Sequence, residues 1–328
     1  MDEQQQLIIE TARRIFADQC DKTVVDKADF NTRGEQGEFP SALWQTLTET
    51  GLTAIGTEEG GGTFTDALLV LREAGAVASP IPLAEHLIAL QLLQQAGQAI
   101  PEGIITVAAL TGETVCGARF TEAADWLLVA GTDELYLLNN QSLSWQVSAS
   151  IAGETTAELA QLPELQSPIA LSGAADQLRY LGARTRVSMM AGALAEVLAM
   201  SVQYVSDREQ FGRSLSKFQA IQQQLAVMAG EVAACQRAAA ACLTSDAEHD
   251  VAIGKARLGQ AVAIVTDYAH QVHGAIGYTL EHGLNHRTRR LWQWRDEYGA
   301  ERYWQIQLGR QFCAAGADQL WAGVTAAG

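Results

Sequence analysis

The feature that most constrains the fold is a long apolar stripe in the second half of the chain. Between residues 218 and 242, apolar residues recur at alternating spacings of three and four for seven steps. Such spacing places them all on one face of an α-helix, because the helix repeats about every 3.6 residues. The stripe consists of Phe218, Ile221, Leu225, Met228, Val232, Cys235, Ala239 and Cys242. It predicts a long helix that packs against other helices.

Two further stripes flank this one. Val187, Met190, Leu194, Val197 and Tyr204 run at helical spacing before it, and Val251, Leu258, Val262, Val265 and Val272 follow it. Long amphipathic helices joined by short connections pack as a bundle. We therefore predict a C-terminal four-helix bundle over residues 169–328.

The first hundred residues also show helical patterns, over shorter lengths. We predict helices over residues 3–19, from Ser41 to Thr50, from Asp66 to Val77 and over residues 83–96. Pro40 favours the start of the second helix, and Gly51 favours its end. Residues 1–100 are therefore predicted to form an N-terminal helical domain.

Residues 101–168 have a different character. Short β-prone runs, separated by Gly, Asp or Asn, cover Ile104 to Ala109, Trp126 to Ala130, Glu134 to Leu138 and Trp145 to Val147. Runs of this length and composition predict strands. We expect a small antiparallel β-domain here, within a fold that is mainly α-helical.

The negative charge of the chain is confined to its first half. The net charge is −16, with 7 Lys and Arg against 24 Asp and Glu in residues 1–170, and 15 against 14 in residues 171–328. The second half is therefore compatible with a phosphate-bearing ligand. No basic stripe exists to neutralise a nucleic-acid backbone, which argues against nucleic-acid binding.

The cysteines and the hydropathy indicate a compartment. Five scattered cysteines without a CxxC pair argue against a disulfide framework and favour a reducing cytoplasm. The start MDEQQQLIIE is acidic and lacks the basic residues of a secretory signal. The apolar stretch from Leu83 to Leu93 is interrupted by Glu85 and His86, so we expect no membrane span there.

The first candidate binding segment lies between two predicted bundle helices. It reads DREQFGR from Asp207 to Arg213, and Gly212 makes it a corner. Arginine presents a planar fork of donors suited to a pyrophosphate, and Phe211 could stack on a ring. The structural alternative is a helix end with a salt-bridged corner.

The second candidate segment reads QVHGAIGY from Gln271 to Tyr278. Two glycines three positions apart at a helix end let the backbone approach a ligand closely. The spacing is not GxGxxG and no strand precedes it, so it is not a Rossmann fingerprint. Taken alone, this segment is an ordinary helix terminator.

Together, the two segments resemble the signature stretches of the acyl-CoA dehydrogenase superfamily. SDREQFGRSLSKFQAIQQQLAVMAGEV and QVHGAIGYTLEHGLNHRTRR lie in the family's order and at about its separation. ALWQTLTETGL with EEGGG, in the first hundred residues, is similar to the family's N-terminal helical domain. The resemblance covers about three-quarters of the chain. It implies an acyl-CoA dehydrogenase-like fold and FAD as the cofactor.

The resemblance also implies roles for individual residues. In the family, the residues matching Arg208, Gln210 and Phe211 contact the FAD of a neighbouring subunit. The glutamine and glycine turn matching Gln271, Val272, Gly274 and Ala275 hold its adenosine-diphosphate end. The seven residues are carried over as expected FAD contacts.

Two departures from the family pattern are informative. Residues 101–168 are too short for the full β-domain, and they lack the Thr-, Gly- and Ser-rich loop that covers the flavin. The usual base is a glutamate directly before a glycine, and that position holds Tyr298 before Gly299. Tyrosine, with a pKa near 10 in water, is a poor base at neutral pH. The family's alternative base position, near Ala183 and Arg184, holds no carboxylate.

A reduced β-domain, intact FAD-tail motifs and a missing base resemble the small subunits of heteromeric acyl-CoA dehydrogenases, such as those that act on steroid side-chain thioesters. The resemblance implies a complex with a homologous chain in an α2β2 arrangement. The complex would oxidise a CoA thioester to its α,β-unsaturated form, with an electron-transfer flavoprotein as acceptor. The catalytic residue of this chain stays unassigned.

Other interpretations remain open at this point. The chain could be a self-sufficient homomeric dehydrogenase with Glu297 as its base, or a helical scaffold that binds no flavin. His270 and His273 lie on one helical face, and His282 and His286 are four apart, but no cysteine or acidic cluster completes a metal site. We expect no metal, and we expect Cys235 and Cys242 to be core residues and not nucleophiles.

Overall fold

The computed structural model describes residues 2–30, 35–159, 161–245 and 247–326. Its mainly α-helical architecture confirms the predicted fold class. By backbone contacts, residues 1–71 and 79–182 form one compact unit, and residues 72–78 and 183–328 form a second. The helices run in the order α1 Glu3–Gln19, α2 Lys22–Ala28, α3 Ser41–Glu49, α4 Phe64–Ala76, α5 Leu83–Gln95, α6 Ala174–Asp207, α7 Gln219–Thr244, α8 Glu248–His273, α9 Leu284–Asp296, α10 Glu301–Ala315 and α11 Ala317–Ala326.

The helices of the first unit form where the sequence predicts them, with one addition. At the start of α1, the Asp2 carboxylate accepts the Gln5 backbone N–H at 2.8 Å, and the Gln5 side chain accepts the Asp2 N–H at 3.3 Å. This reciprocal cap satisfies two backbone donors at the helix start. Helix α5 is buried on nearly all its faces, which explains why its apolar residues are not confined to one stripe. The short helix α2, capped by Asp21, was not predicted.

The strands of the first unit form two small sheets. They are β1 Ile105–Thr111, β2 Thr114–Cys116, β3 Ala118–Arg119, β4 Trp126–Ala130, β5 Glu134–Asn139, β6 Trp145–Ala149, β7 Thr155–Leu159 and β8 Ile169–Ala170. One sheet has the order β2-β1-β4-β5-β8, and the other has the order β3-β7-β6. They share a core of Ala108, Val115, Ala118, Leu127 and Val129.

The prediction of an antiparallel β-domain was wrong for one strand pair. Strands β1 and β4 pair in parallel, with Ile105 opposite Trp126 and Ala109 opposite Ala130. Residues 112–125 between them form β2 and β3 and bring the chain back to the start of β1. A crossover connection of this length is what parallel pairing requires. The remaining strand pairs of both sheets are antiparallel.

The second unit is the helical bundle that the stripes predicted. Helix α8 packs against α7, α9 and α10. Helix α6 meets the end of α4 at a close crossing, where a Cβ at Gly192 would lie 1.9 Å from the Arg72 carbonyl oxygen. Only glycine permits that approach. Helices α6 and α7 are also long and apolar enough to cross a membrane by length and composition alone, with 56% and 28% of the relevant windows buried.

Candidate FAD-tail site and the base-position turn

The first predicted segment forms a tight hairpin after α6. Helix α6 ends at Asp207, and strands β9 Glu209–Gln210 and β10 Arg213–Ser214 pair antiparallel across two turn residues. Phe211 and Gly212 both have positive φ, 55° and 77°. Two successive positive φ values define the type I′ turn, which matches the twist of a two-stranded hairpin. The corner predicted at Gly212 is therefore confirmed.

The hairpin is anchored to the helix that precedes it. The Ser214 hydroxyl lies 2.8 Å from the Val205 carbonyl oxygen and 3.0 Å from that of Ser206. The Leu215 N–H donates to the Arg208 carbonyl at 2.9 Å. These bonds attach the hairpin to the last turn of α6 and fix the direction in which its tip projects.

The anchored hairpin presents an aromatic ring and several free donors. The Phe211 side chain is 89% exposed, and its ring meets that of Phe218 edge-on at 6.1 Å. The Arg213 guanidinium lies 4.1 Å from the centre of the Phe218 ring. Arg208 and Gln210 are exposed, and neither side chain has a hydrogen-bonding partner among the described residues.

The second predicted segment caps α8. The helix ends at His273, and Gly274, with φ 62°, donates its N–H to the His270 carbonyl oxygen. Gln271, Gly274 and Ala275 are exposed. Val272 is 4% exposed, so its side chain belongs to the core and only its peptide group could contact a ligand.

The ends of α6 and α8 meet through aromatic side chains. The Tyr204 ring stacks on His273 with centroids 4.6 Å apart and meets His282 edge-on at 6.3 Å. Arg208 and His282 line a common pocket. The structure therefore brings Arg208 close to the chain that follows α8. Among the described residues, Phe211 and Gln271 share no hydrogen bond or ring contact.

The donor set suits the ADP portion of FAD. A pyrophosphate needs forked or amide donors with open access. Arg208, Gln210 and Gln271 are exposed donors of these kinds, and a Cβ at Gly274 would meet nothing within 4 Å. Phe211 supplies an exposed aromatic face. By this chemistry, the residues present fit the group.

The turn that holds the predicted base position follows α9. Glu297 caps α9, and the next two residues have positive φ, 55° at Tyr298 and 101° at Gly299. The Glu297 carboxylate forms an ion pair with Arg186 of α6, with the two side chains 11% and 2% exposed. The Arg186 guanidinium also lies 5.4 Å from the centre of the Tyr298 ring.

Two side chains from other helices bind backbone carbonyl groups at the end of α9 and in this turn. The Lys255 ammonium of α8 donates to the carbonyl oxygens of Trp294, Arg295 and Glu297 at 2.9, 3.0 and 2.7 Å. The Trp304 indole of α10 lies 3.2 Å from the Tyr298 carbonyl oxygen and 3.1 Å from that of Gly299. Arg186, Lys255 and Trp304 thus hold the turn from three helices, and we call these three residues the clamp.

Burial changes the proton affinity of Lys255. Its side chain is 1% exposed, and burial lowers its pKa to about 7, while the charge of Glu297 opposes the shift. Sequence reasoning missed this residue, although a signal was present. Lys255 stands in the apolar stripe of α8, four residues after Val251 and three before Leu258, where a charge needs a buried partner.

The cysteines and histidines that the sequence singled out occupy structural positions. Cys235 and Cys242 are buried core residues, as predicted, and burial raises the pKa of each thiol to about 12. Among the described residues, no group of three or more His, Cys, Asp or Glu side chains could hold a metal ion. The ring centroids of His273 and His282 lie 4.8 Å apart, and both rings contact that of Tyr204.

Two family models match the chain, one in its N-terminal part and one in its C-terminal part. Residues 2–100 match the model for the acyl-CoA dehydrogenase N-terminal domain, and residues 179–306 match that for the acyl-CoA dehydrogenase C-terminal domain. The chain is 27% identical over 300 residues to acyl-CoA dehydrogenase IpdE2 of Mycolicibacterium smegmatis, covering 87% of this chain and 91% of that protein.

Solved structures share the fold. A variant of the steroid ACAD Tcur3481-Tcur3483 superposes with a TM-score of 0.83 at 20% identity, covering 96% of this chain and 99% of that one. The ChsE4-ChsE5 complex of Mycobacterium tuberculosis superposes with a TM-score of 0.80 at 20% identity, covering 95% and 98%.

Proposed function

Because the chain belongs to the acyl-CoA dehydrogenase family, we propose that it is a subunit of an FAD-dependent complex that oxidises a CoA thioester to its α,β-unsaturated form. In this proposal the chain supplies the FAD-tail site, and a homologous partner chain supplies the catalytic base. The observation that carries the proposal is the clamped turn, where Glu297 is held in an ion pair beside Tyr298, the residue that the family resemblance predicts for the base position.

Glu297 is poorly placed to act as a base in this chain. A general base needs its carboxylate within hydrogen-bonding reach of the substrate proton. The Glu297 carboxylate instead contacts the buried Arg186 guanidinium, and its carbonyl oxygen accepts from Lys255. Moving Glu297 into the position of Tyr298 would shift the backbone by one residue. That shift would break the bonds that Lys255 and Trp304 make to the turn. The geometry therefore favours a catalytic base on the partner chain over a self-sufficient homomeric enzyme.

When bound, FAD would supply the acceptor for the hydride that leaves the β-carbon of the thioester. The residues of this chain contribute binding and orientation. The Arg208 guanidinium and the amides of Gln210 and Gln271 would donate to the pyrophosphate, and the Phe211 ring would offer a stacking surface. The peptide groups of Val272 and Ala275, with Gly274 between them, would let the ADP end lie close to the backbone.

The relatives support a heteromeric assembly. The ChsE4-ChsE5 structure is a complex of two differently named chains, and the Tcur3481-Tcur3483 structure is named as a steroid ACAD. We therefore propose a homologous acyl-CoA dehydrogenase chain as partner, in an α2β2 assembly, and an electron-transfer flavoprotein as electron acceptor. A steroid side-chain CoA thioester is the first substrate to test.

Co-expression with a homologous acyl-CoA dehydrogenase chain from the same source, sought first among the neighbouring genes, tests the proposal. We expect a yellow complex with bound FAD, larger than either chain alone, that turns over an acyl-CoA. The isolated chain should show no dehydrogenation. Turnover by the isolated chain would overturn the assignment of the base to the partner, and a colourless, inactive complex would support the scaffold interpretation instead.

A further inference from the structure

The buried imidazole of His273 joins the ends of two helices. His273 is the last residue of α8, and its side chain is 3% exposed. The Tyr204 ring of α6 stacks on it, with centroids 4.6 Å apart and an interplanar angle of 26°. The His282 ring contacts both, with centroid distances of 4.8 Å to His273 and 6.3 Å to Tyr204. We call these three rings the junction.

The junction lies between the two segments that carry the expected FAD contacts. On one side, the Tyr204 carbonyl oxygen accepts the Arg208 backbone N–H at 2.9 Å, and the Arg208 carbonyl oxygen accepts from Leu215 at the base of the hairpin. On the other side, His273 directly precedes Gly274 in the cap of α8. The stack of Tyr204 on His273 therefore sets the spacing of the two segments.

The two ring nitrogens of His273 fix the protonation state that fits the junction. Nδ1 lies 2.7 Å from the Ala269 carbonyl oxygen, which can only accept, so Nδ1 carries a proton. The buried Nε2 has no hydrogen-bond partner among the described residues. A proton added to Nε2 would create a buried charge without an acceptor, and such a charge is strongly unfavourable. The stacked ring is therefore the neutral form.

The surroundings of the ring also oppose a second proton. Burial lowers the pKa of His273 to about 4; the bond to Ala269 opposes the shift, and His282 and His270 add to it. Burial also lowers the pKa of His270 and of His282. The charged side chains nearest these rings are Asp267 of α8, Arg287 of α9, and Glu196, Asp207 and Arg208 of α6. Within the described part of the chain, none of them accepts from Nε2 of His273.

We propose that His273 is a positioning residue for the FAD-tail site and makes FAD binding sensitive to acid. The neutral ring holds Tyr204, and with it Arg208, at the spacing that FAD requires between Arg208 and Gln271. Uptake of a second proton displaces the ring from the stack and releases the end of α6. FAD affinity is then complete above pH 6.5 and falls as the pH drops toward 4. The inference rests on the proposed function, since FAD is its ligand.

The first test titrates the flavin-stripped complex with FAD at pH 7 and at pH 5, by quenching of flavin fluorescence. A His273 pKa of about 4 in the stack and 6.5 after release limits the loss of affinity over this range to about twentyfold. We expect the dissociation constant to rise about tenfold.

Three variants assign this rise to His273. His273→Phe keeps a ring against Tyr204 but takes up no proton, so its FAD dissociation constant should be the same at pH 7 and pH 5. His273→Gln has neither ring nor charge, and it should bind FAD about tenfold more weakly at both pH values. His249→Phe, at the other end of α8, is the matched control and should keep the full rise. Circular dichroism of each variant at pH 5 establishes that the bundle is intact.

A second test does not involve the cofactor. NMR of the flavin-free chain with labelled histidine and tyrosine follows the rings of His273 and Tyr204, whose signals are assigned by substitution. We expect His273 to titrate between about 4 and its ordinary 6.5, and the Tyr204 signal to move with the same midpoint. In His273→Gln the Tyr204 signal should not move over this range.

The outcomes distinguish this inference from the proposed function. If Arg208→Ala weakens FAD while the unmodified complex binds FAD equally at pH 7 and pH 5, the FAD-tail site stands and the role of His273 is refuted. A tenfold rise that persists in His273→Phe or His273→Gln also refutes it, because another group then carries the acid response. If the complex binds no FAD, the proposed function fails and the NMR titration decides. A Tyr204 signal that ignores the titration of His273 would overturn the inference.

Discussion

Replacing Glu297 with glutamine separates a structural role from a catalytic one in a single substitution. Glu297→Gln keeps the size and one acceptor of the side chain but removes the carboxylate charge from the ion pair with Arg186, whose side chain is 2% exposed. Removing one partner of a buried ion pair costs about 3–5 kcal/mol. Because the amide still accepts a hydrogen bond, we expect the free energy of unfolding to fall by roughly 3 kcal/mol, the lower end of that range.

The assay is urea unfolding of the complex followed by tryptophan fluorescence, since Trp294 and Trp304 report on the clamped turn. The matched control is Glu301→Gln, which removes the partner of Arg295 in a more exposed pair, with side chains 26% and 17% exposed. Pairs nearer the surface contribute about 0–1 kcal/mol. The Glu297 variant should therefore lose clearly more stability than the Glu301 variant.

Turnover per bound flavin gives the second readout. If the base belongs to the partner chain, Glu297→Gln should leave this rate within about threefold of the unmodified complex. Loss of a general base lowers the rate by about 10²–10⁴. A hundredfold fall in turnover with FAD still bound would identify Glu297 as the base. It would refute the proposal that the partner chain supplies the base. Equal stability loss in the two variants would instead show that the Arg186–Glu297 pair stabilises the protein no more than a pair nearer the surface.

Three further predictions follow from the charged and thiol groups. Arg208→Ala should lower FAD affinity about tenfold or more by removing a charge-assisted contact of about 1.5–3 kcal/mol, whereas Arg310→Ala on α10 should not, as measured by flavin fluorescence. Because the pKa of Lys255 is about 7 when folded and 10.5 when unfolded, its burial penalty is full below pH 7 and is relieved as the pH rises toward 10.5. The unfolding free energy of the unmodified protein should therefore gain roughly 2 kcal/mol between pH 7.5 and 9.0 relative to Lys255→Met. At pH 8, a thiol reagent should modify the exposed Cys116 and Cys313 in the folded protein and spare Cys235 and Cys242, as read by mass spectrometry.

Sequence reasoning succeeded where one local rule determines the structure. The bounds of α1, the corner at Gly212 and the end of α8 at Gly274 each follow from periodicity or from a glycine, and the structure confirms them. The parallel pairing of β1 with β4 was missed because pairing direction depends on the path of the intervening chain. No local pattern of residues 105–111 encodes that path.

The site was less accessible to sequence reasoning, because its parts come from distant helices. The motifs identified Arg208 and Gln271, and their FAD roles stay predictions. Tyr204 appeared only as a member of an apolar stripe, although it joins the ends of α6 and α8 through His273 and His282. Nothing local to Arg186, Lys255 or Trp304 indicates that all three meet at one turn.

The clamp bears on the proposal that a partner chain, and not this one, supplies the catalytic base. A turn that presents a catalytic carboxylate needs a free side chain at residue 298, yet here every clamp contact stabilises the turn itself. Lys255 satisfies three carbonyl groups at the end of α9, Trp304 binds the next two, and Arg186 engages the neighbouring carboxylate. Buried polar groups with their partners in place resist rearrangement, because each lost bond would leave an unsatisfied buried group. A carboxylate placed at residue 298 would also lie beside the Arg186 guanidinium, 5.4 Å from the present Tyr298 ring centre. The Arg186 guanidinium would then pair with the new carboxylate as well as with Glu297. Tyr298→Glu alone should therefore not make the isolated chain active.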